Sequence, residues 1–252
     1  MQDPLAFLNG WADRVLVVTL ARAADRQARI RERLRGVRFE FFPGTDKADL
    51  DRDRLLKEGA FDESGTPRAF RHTREMNLGE IGCALSHRRI YEAAVAGGWA
   101  RTVVLEDDVV PRAADLACLP AALSELPPGW DLCYLGYMKN EAPSGWDRTK
   151  RAAYVALAPL RLVRWRLGEA RRLLPAPFSP HLRRAGLHAC THAYAVSLEG
   201  ARKLAAAQTP VSLRADWLFS SLILRGELSA FVAEPRLFDQ EDVVAAPSYV
   251  HG

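Results

Sequence analysis

The chain has 252 residues, 48% of them hydrophobic and 26% charged, with 17 Gly, 15 Pro and a formal net charge of +4. That composition suits one compact globular domain, or two small ones, and excludes a disordered, collagen-like or low-complexity chain. The longest apolar runs, Val15–Leu20 and Thr102–Leu105, are strand-sized and far short of a membrane span, and the first residues lack the basic region and long apolar stretch of a signal peptide, so none is expected.

The first predicted element is Arg14-Val-Leu-Val-Val-Thr-Leu20, suited to a strand buried on both faces. Asp25 is placed to cap a helix running to about Arg35, Gly36 stops it, and Val37–Phe42 reads as a second strand. Strand, helix and strand within thirty residues argue for a βαβ unit and a parallel sheet. Pro43-Gly-Thr-Asp46 marks a turn, and the charged stretch 47–76 holds one short helix near Asp51–Glu58. Asn77-Leu-Gly-Glu80 has the form of a capping box, opening a helix that runs to Gly97-Gly98. Thr102–Leu105 is a buried strand ending in Glu106-Asp107-Asp108. A helix over Ala114–Leu126, a break at Pro127-Pro128-Gly129 and a strand over Asp131–Leu135 follow. Beyond a basic stretch come a strand (His192–Ser197) and two helices (Glu199–Ala207, Ala215–Leu224).

Cys83, Cys118, Cys133 and Cys190 are scattered, with no Cys-x-x-Cys pair, which points to reduced thiols and a cytoplasmic location. The charge is unevenly placed: from Arg161 to Arg184 there are seven arginines and one acid, Glu169, so that stretch carries +6 and the rest −2. Prolines 175, 177 and 180 make the stretch loop-rich and limit any helix to one short piece. It reads as a solvated loop, as a site for an anionic acceptor, or as a contact with an anionic membrane surface, because Leu160, Leu162, Val163, Trp165 and Leu167 interleave with Arg161, Arg164 and Arg166. Its arginines form no nucleic-acid-reading motif, so no nucleic-acid partner is expected.

Two clusters can carry chemistry. Open α/β sheets bind ligands at the carboxyl ends of their strands, where Glu106-Asp107-Asp108 falls. Side chains two apart on an extended segment point the same way, so Glu106 and Asp108 can converge on one Mg²⁺ or Mn²⁺ holding a diphosphate; a solvated acidic turn is the alternative. The second cluster lies on the capped helix. Ser86 and His87 suit either a reacting group and its base or a packed interior, whereas Cys83 suits the core. Gly79 and Gly82 indicate close backbone approach there.

Gly79-Glu-Ile-Gly-Cys-Ala-Leu-Ser-His87 followed by Val103-Val-Leu-Glu-Asp-Asp-Val109 resembles the signature of glycosyltransferase family 25, the lipopolysaccharide-type galactosyl- and glucosyltransferases related to collagen galactosyltransferases. Val17-Val-Thr-Leu-Ala-Arg-Ala-Ala-Asp-Arg26 is similar to the family's opening strand and helix start. Thr191-His-Ala-Tyr-Ala-Val-Ser197 with Gly200-Ala201 resembles its later strand and helix. Asp216-Trp-Leu resembles the family's acid before a helix, and Gln240 with Ser248 its C-terminal segment. Asn77-Leu departs from the family's usual Thr-Pro-like start, and the basic stretch has no counterpart among its motifs.

The resemblance implies an α/β fold: a single GT-A-like (Rossmann-like) nucleotide-diphospho-sugar transferase domain over 1–252 with a mostly parallel central sheet and a basic insertion at about 160–186. It implies inverting transfer of a hexose, galactose foremost, from a UDP-sugar to a hydroxyl of a cell-surface glycan such as lipopolysaccharide. A catalytically silent, glycan- or partner-binding family member is the alternative. Carried over by position, Glu106 and Asp108 would hold the divalent cation, with His192 as a late ligand or an ordinary strand residue. Asp107, Arg26, Ser86, His87 and Gln240 would face the donor, Arg26 otherwise pairing with Asp25. Asp216 would be the general base, or else a helix cap.

Overall fold

A computed structural model describes residues 3–65 and 75–241, so Ser248 lies outside the described residues. A 3₁₀ turn, Pro4–Phe7, runs into α1 (Leu8–Trp11), followed by β1 (Arg14–Thr19), α2 (Ala24–Arg33) and β2 (Glu40–Pro43). Helix α2 begins one residue before Asp25, with Ala23 at its cap, so Asp25 sits in the first turn, where a negative charge favours the helix dipole. The second strand starts three residues later than expected. Gly36 turns the chain at φ +88° and Val37 folds back to hydrogen-bond the Leu34 carbonyl, which keeps Val37 out of the sheet.

After α3 (Arg52–Lys57), capped by Asp51, comes α4 (Leu78–Gly97). Both halves of its capping box are present: Asn77 Oδ1 accepts from the Glu80 amide and Glu80 Oε2 from the Asn77 amide, each at 2.9 Å. Such caps are worth about 1 kcal/mol. Gly98 ends the helix at φ +64°. Then come β3 (Arg101–Glu106) and β4 (Val109–Pro111). The helix expected over Ala114–Leu126 is shorter and broken: a 3₁₀ turn at Leu116–Cys118 leads into α5 (Leu119–Ser124), with Pro120 in its first turn. Next is β5 (Leu132–Met138).

The basic region is more regular than its prolines suggest. It follows α6 (Gly145–Leu157), opened by a second capping box, Ser144 with Asp147, and contains α7 (Leu167–Arg171), β6 (Ala176–Pro177) and β7 (Leu182–Arg184). The chain continues through β8 (Ala189–Ser197), α8 (Leu198–Ala207), α9 (Ala215–Arg225), β9 (Ala230–Ala233) and β10 (Phe238–Gln240).

Among the described residues the main sheet has the order β2-β1-β3-β8-β5-β9-β7-β6. β2, β1 and β3 are parallel, β5 is parallel to β9, and β8 and β7 run against their neighbours. Six strands therefore point one way and two the other, and β10 pairs with β4 in a separate ribbon. Period-two alternation divides the core. Val15, Val17, Val103, Leu105 and Ala193 pack with Ile30 and Leu34 of α2 and Leu119 of α5; Leu16, Val104, Tyr134 and Tyr194 pack with α4, α8 and α9 on the other face. A satellite cluster around Trp165, Ala170, Leu173 and Leu224 ties α7 to α9, with Tyr154 and Trp217 packed against it.

Candidate active site

Because β8 runs antiparallel to β3 with Ala193 opposite Leu105, its first residues meet the carboxyl end of β3. A cleft of about 260 Å³ opens there, bounded by the ends of β1, β2 and β3 and the first turns of α4 and α9. Gly82 lets α4 approach: a Cβ at this position would stand 2.7 Å from the Thr45 carbonyl.

Arg26, Ser86, His87, Glu106, Asp107, Asp108, Asp216 and Gln240 all line this cleft. Asp107 faces inward. Thr19 Oγ1 donates to its Oδ2 at 2.7 Å and Arg26 Nη1 to its Oδ1 at 2.8 Å, so Arg26 pairs with the β3 carboxylates and not with Asp25. The same guanidinium lies 3.5 Å from Asp108 Oδ2, which also accepts from Gln240 Nε2 at 3.0 Å. Glu106 accepts from Thr191 Oγ1 at 2.8 Å, and His87 Nε2 stands 3.6 Å from the same Oε1. The other ring nitrogen of His87 is 2.8 Å from the Tyr194 hydroxyl. Ser86 serves the turn beside the cleft: its hydroxyl donates to the Gly82 carbonyl and accepts from the Thr45 amide.

The two outward carboxylates are unequal. Burial raises the Glu106 pKa, but His87 and Thr191 outweigh it and hold Glu106 below its ordinary range. Burial and the neighbouring Glu106 charge push Asp108 up to about 7, against the opposing pull of Gln240 and Arg26. Asp108 Oδ1 is buried without a hydrogen-bond partner, as is His87 Nε2. Two adjacent carboxylates with an unsatisfied oxygen are the donor set a hard divalent cation takes, so the residues fit the cation that the fold implies. Cys83 Sγ lies within 4.8 Å of donor atoms of His87 and Glu106, yet burial, reinforced by nearby carboxylates, pushes its thiol well up; a protonated thiol is a poor ligand for such an ion.

His192 holds an interior strand position and does not line the cleft. Its Nε2 faces the Phe238 carbonyl at 3.3 Å, and its Nδ1 is buried without a partner, so only Nδ1 is left to ligate. Gly136 faces this ring so closely that a Cβ would collide with it. Asp216 is not the helix cap; Arg214 is, and Asp216 lies in the first turn of α9. Its carboxylate accepts from the Cys190 amide at 3.4 Å, and burial raises its pKa.

Three contributors escaped the sequence reading. Thr19 and Thr191 carried the signal of lying at strand ends, and Arg214 that of preceding Asp216. Arg214 reaches back to Glu80 Oε1 at 3.1 Å and lies over the Trp217 ring, joining the starts of α4 and α9.

Comparison with known proteins identifies the family. Residues 12–141, just over half of the chain, match the family described as glycosyltransferase family 25 (LPS biosynthesis protein). A glycosyltransferase 25 family member of Drosophila melanogaster is 36% identical over 100 residues, 38% of this chain and 16% of that relative. The inactive glycosyltransferase 25 family member 3 of Homo sapiens is 31% identical over 204 residues, 78% of this chain and 29% of the relative. The corresponding probable inactive member of Bos taurus matches to the same extent. The chain thus spans less than a third of the length of these relatives. It belongs to glycosyltransferase family 25.

Proposed function

We propose that this chain is an inverting hexosyltransferase that moves a hexose, galactose foremost, from a UDP-sugar to a hydroxyl of a cell-surface glycan. The observation that carries this reading is the meeting, in one cleft, of Glu106, an Asp108 with an unsatisfied buried oxygen, and the buried Asp216. Glu106 and Asp108 would hold a divalent cation, Mn²⁺ or Mg²⁺, which when bound offsets charge on a diphosphate. Arg26 and Gln240 orient Asp108, and Thr191 and His87 orient Glu106. Ser86 shapes the donor-side turn. Asp216 takes the proton of the acceptor hydroxyl as that oxygen bonds to the anomeric carbon and the bond to UDP breaks, its electron pair leaving with UDP. One displacement inverts the centre. Burial strengthens Asp216 as a base because it disfavours the charged form that gives up its charge on accepting the proton.

A second reading, a silent glycan-binding member, has one observation in its favour: the relatives matching 78% of the chain are named inactive. Calorimetric titration with UDP, with and without Mn²⁺, on the parent and on Asp108→Ala separates binding from its absence; a UDP-sugar and acceptor panel then separates transfer from binding alone. Mn²⁺-dependent UDP affinity lost in the variant, together with transfer, supports the enzyme. UDP binding with no transfer supports the silent member, and no UDP binding removes the donor site.

The same reading puts the reaction in the cytoplasm, with the chain resting on an anionic membrane surface. No described helix is long and apolar enough to cross a membrane. Trp146, Leu160 and Leu162 are exposed at 70%, 66% and 68%, with Arg148 and Arg161 beside them in the chain. Large apolar side chains next to arginines suit an interfacial contact.

A further inference from the structure

A second cleft, of about 530 Å³, lies beyond Asp216. The two share a wall: Cys190 and Asp216 line the first, and their chain neighbours Ala189 and Trp217 line the second. Four cations line this second space. Lys139 comes from the loop after β5, Lys150 and Arg151 from α6, and Arg164 from the approach to α7. One acid lines it, Asp147, whose Oδ2 accepts from the amide and hydroxyl of Ser144 in the cap of α6. Among the described residues, Lys139, Lys150 and Arg151 form no ion pair within 4 Å. Burial, then the like charges of Lys150 and Arg164, hold the Lys139 pKa below its ordinary value, against the opposing pull of Asp216.

The backbone is built to hold Lys139 there. Lys139 and Asn140 both adopt left-handed conformations, φ +67° and +58°, which non-glycine residues rarely take. His188 Nδ1 donates to the Lys139 carbonyl at 2.9 Å, and Asn140 Nδ2 donates to the Leu187 carbonyl at 2.6 Å. These bonds over-determine a strained turn that presents an ammonium group to the cleft. Half-buried rings of Tyr154 and Trp217 supply the apolar wall that the C–H face of a pyranose packs against.

We propose that this cleft is the acceptor subsite and that it selects a saccharide carrying an anionic group, a carboxylate or a phosphate. As an acceptor subsite it rests on the transferase reading above; as an anionic-saccharide site it stands on its own cations. It lies on the Asp216 side, where the accepting hydroxyl must be to lose its proton.

The test is saturation-transfer NMR on the full chain with three probes: methyl β-D-glucuronide, galactose 6-phosphate and neutral methyl β-D-galactoside. These run on the parent and on a Lys150→Gln/Arg151→Gln variant, with Lys139→Gln as a second variant should the first melt early. UDP with Mn²⁺ is titrated in parallel. At least one anionic probe is expected to bind tenfold or more tightly than the neutral one, and the variant to lose that preference; the probe that binds identifies carboxylate or phosphate. Equal binding of all three probes, no binding, or a preference unchanged in both variants overturns the proposal. Anionic binding in a chain that does not bind UDP overturns the acceptor role and the transferase reading while leaving the saccharide site. UDP binding without anionic preference overturns this inference alone.

Discussion

Arg26 on α2 places Nη1 2.8 Å from Asp107 Oδ1 at the end of β3, with only 12% and 9% of the two side chains exposed. Thr19 at the end of β1 satisfies the other oxygen. The middle carboxylate of the acidic triplet is therefore a brace that ties two strand ends and a helix, leaving Glu106 and Asp108 for the cleft. Removing one partner of a buried pair strands the other charge, at a cost of roughly 3 kcal/mol. Arg26→Ala is expected to lose about that much in urea unfolding, with Asp107→Ala similar and the double variant less than the sum. Strict additivity would show that the pair is not coupled.

Asp108→Asn is expected to trade function for stability. In the metal-free chain Asp108 places a second carboxylate beside Glu106 in a buried setting, and desolvation and repulsion both oppose its charge. Neutralising it removes that penalty, so melting in EDTA at pH 8 should move upward while Mn²⁺-dependent UDP affinity disappears. A lower melting temperature would mean that the bonds from Gln240 and Arg26 outweigh the repulsion.

Asp216→Asn should leave UDP affinity near the parent's and lower transfer by roughly 10²–10⁴-fold, the usual contribution of a general base. Burial raises the pKa of Asp216, so activity of the parent should fall on the acid side as that carboxyl gains its proton, and the variant should lack this limb. A variant with the parent's kcat removes Asp216 as the base.

The alternation of side chains made Glu106, Asp107 and Asp108 legible in sequence: the outer two affect one another electrostatically while the middle one turns to Arg26 and Thr19. The capping box at Asn77–Glu80 was equally local and equally visible. What escaped depends on long-range pairing. Nothing near Thr191 announces that β8 inserts antiparallel beside β3 and so delivers its hydroxyl to Glu106, 85 residues away in the chain. The signal for α6, Ser144 with Asp147, was present but masked by the prolines downstream. Arg26 reads in sequence as a donor contact or else a partner of Asp25; that it braces Asp107, 81 residues away, depends on α2 packing beside the end of β3.

His188 gives the fold an acid-sensitive point. It is buried, its Nδ1 donates to the Lys139 carbonyl, and its Nε2 accepts from the Gly186 amide at 3.1 Å, which requires the neutral ring. Burial lowers its pKa to about 4. With a folded value below the unfolded one of about 6.5, its contribution is complete above that pH and is lost as pH falls through 4. The loss amounts to roughly 3 kcal/mol at about 1.4 kcal/mol per pH unit. His188→Gln should be less stable than the parent at pH 7.5, and the gap should narrow by pH 4.5 in urea unfolding. A gap that stays constant would mean that His188 titrates normally.

The exposed apolar residues beside the basic region give the last prediction. Leu160 and Leu162 flank Arg161, which takes a left-handed turn at φ +56°, and both leucines are about two-thirds exposed. Burying such side chains in a lipid interface gains roughly 1.5–3 kcal/mol each, and nearby arginines add about 1 kcal/mol apiece on an anionic surface. Cosedimentation with phosphatidylglycerol vesicles should therefore exceed that with phosphatidylcholine, fall as salt rises, and drop at least tenfold for Leu160→Ser/Leu162→Ser. Neither leucine lines the first cleft, so the double variant should still titrate UDP; Leu162 lines the second cleft, so Leu160→Ser alone is the variant expected to keep anionic-saccharide binding. Equal cosedimentation with both lipids would remove the membrane contact. A salt dependence that survives the leucine change would mean that the arginines act alone, without the apolar insertion.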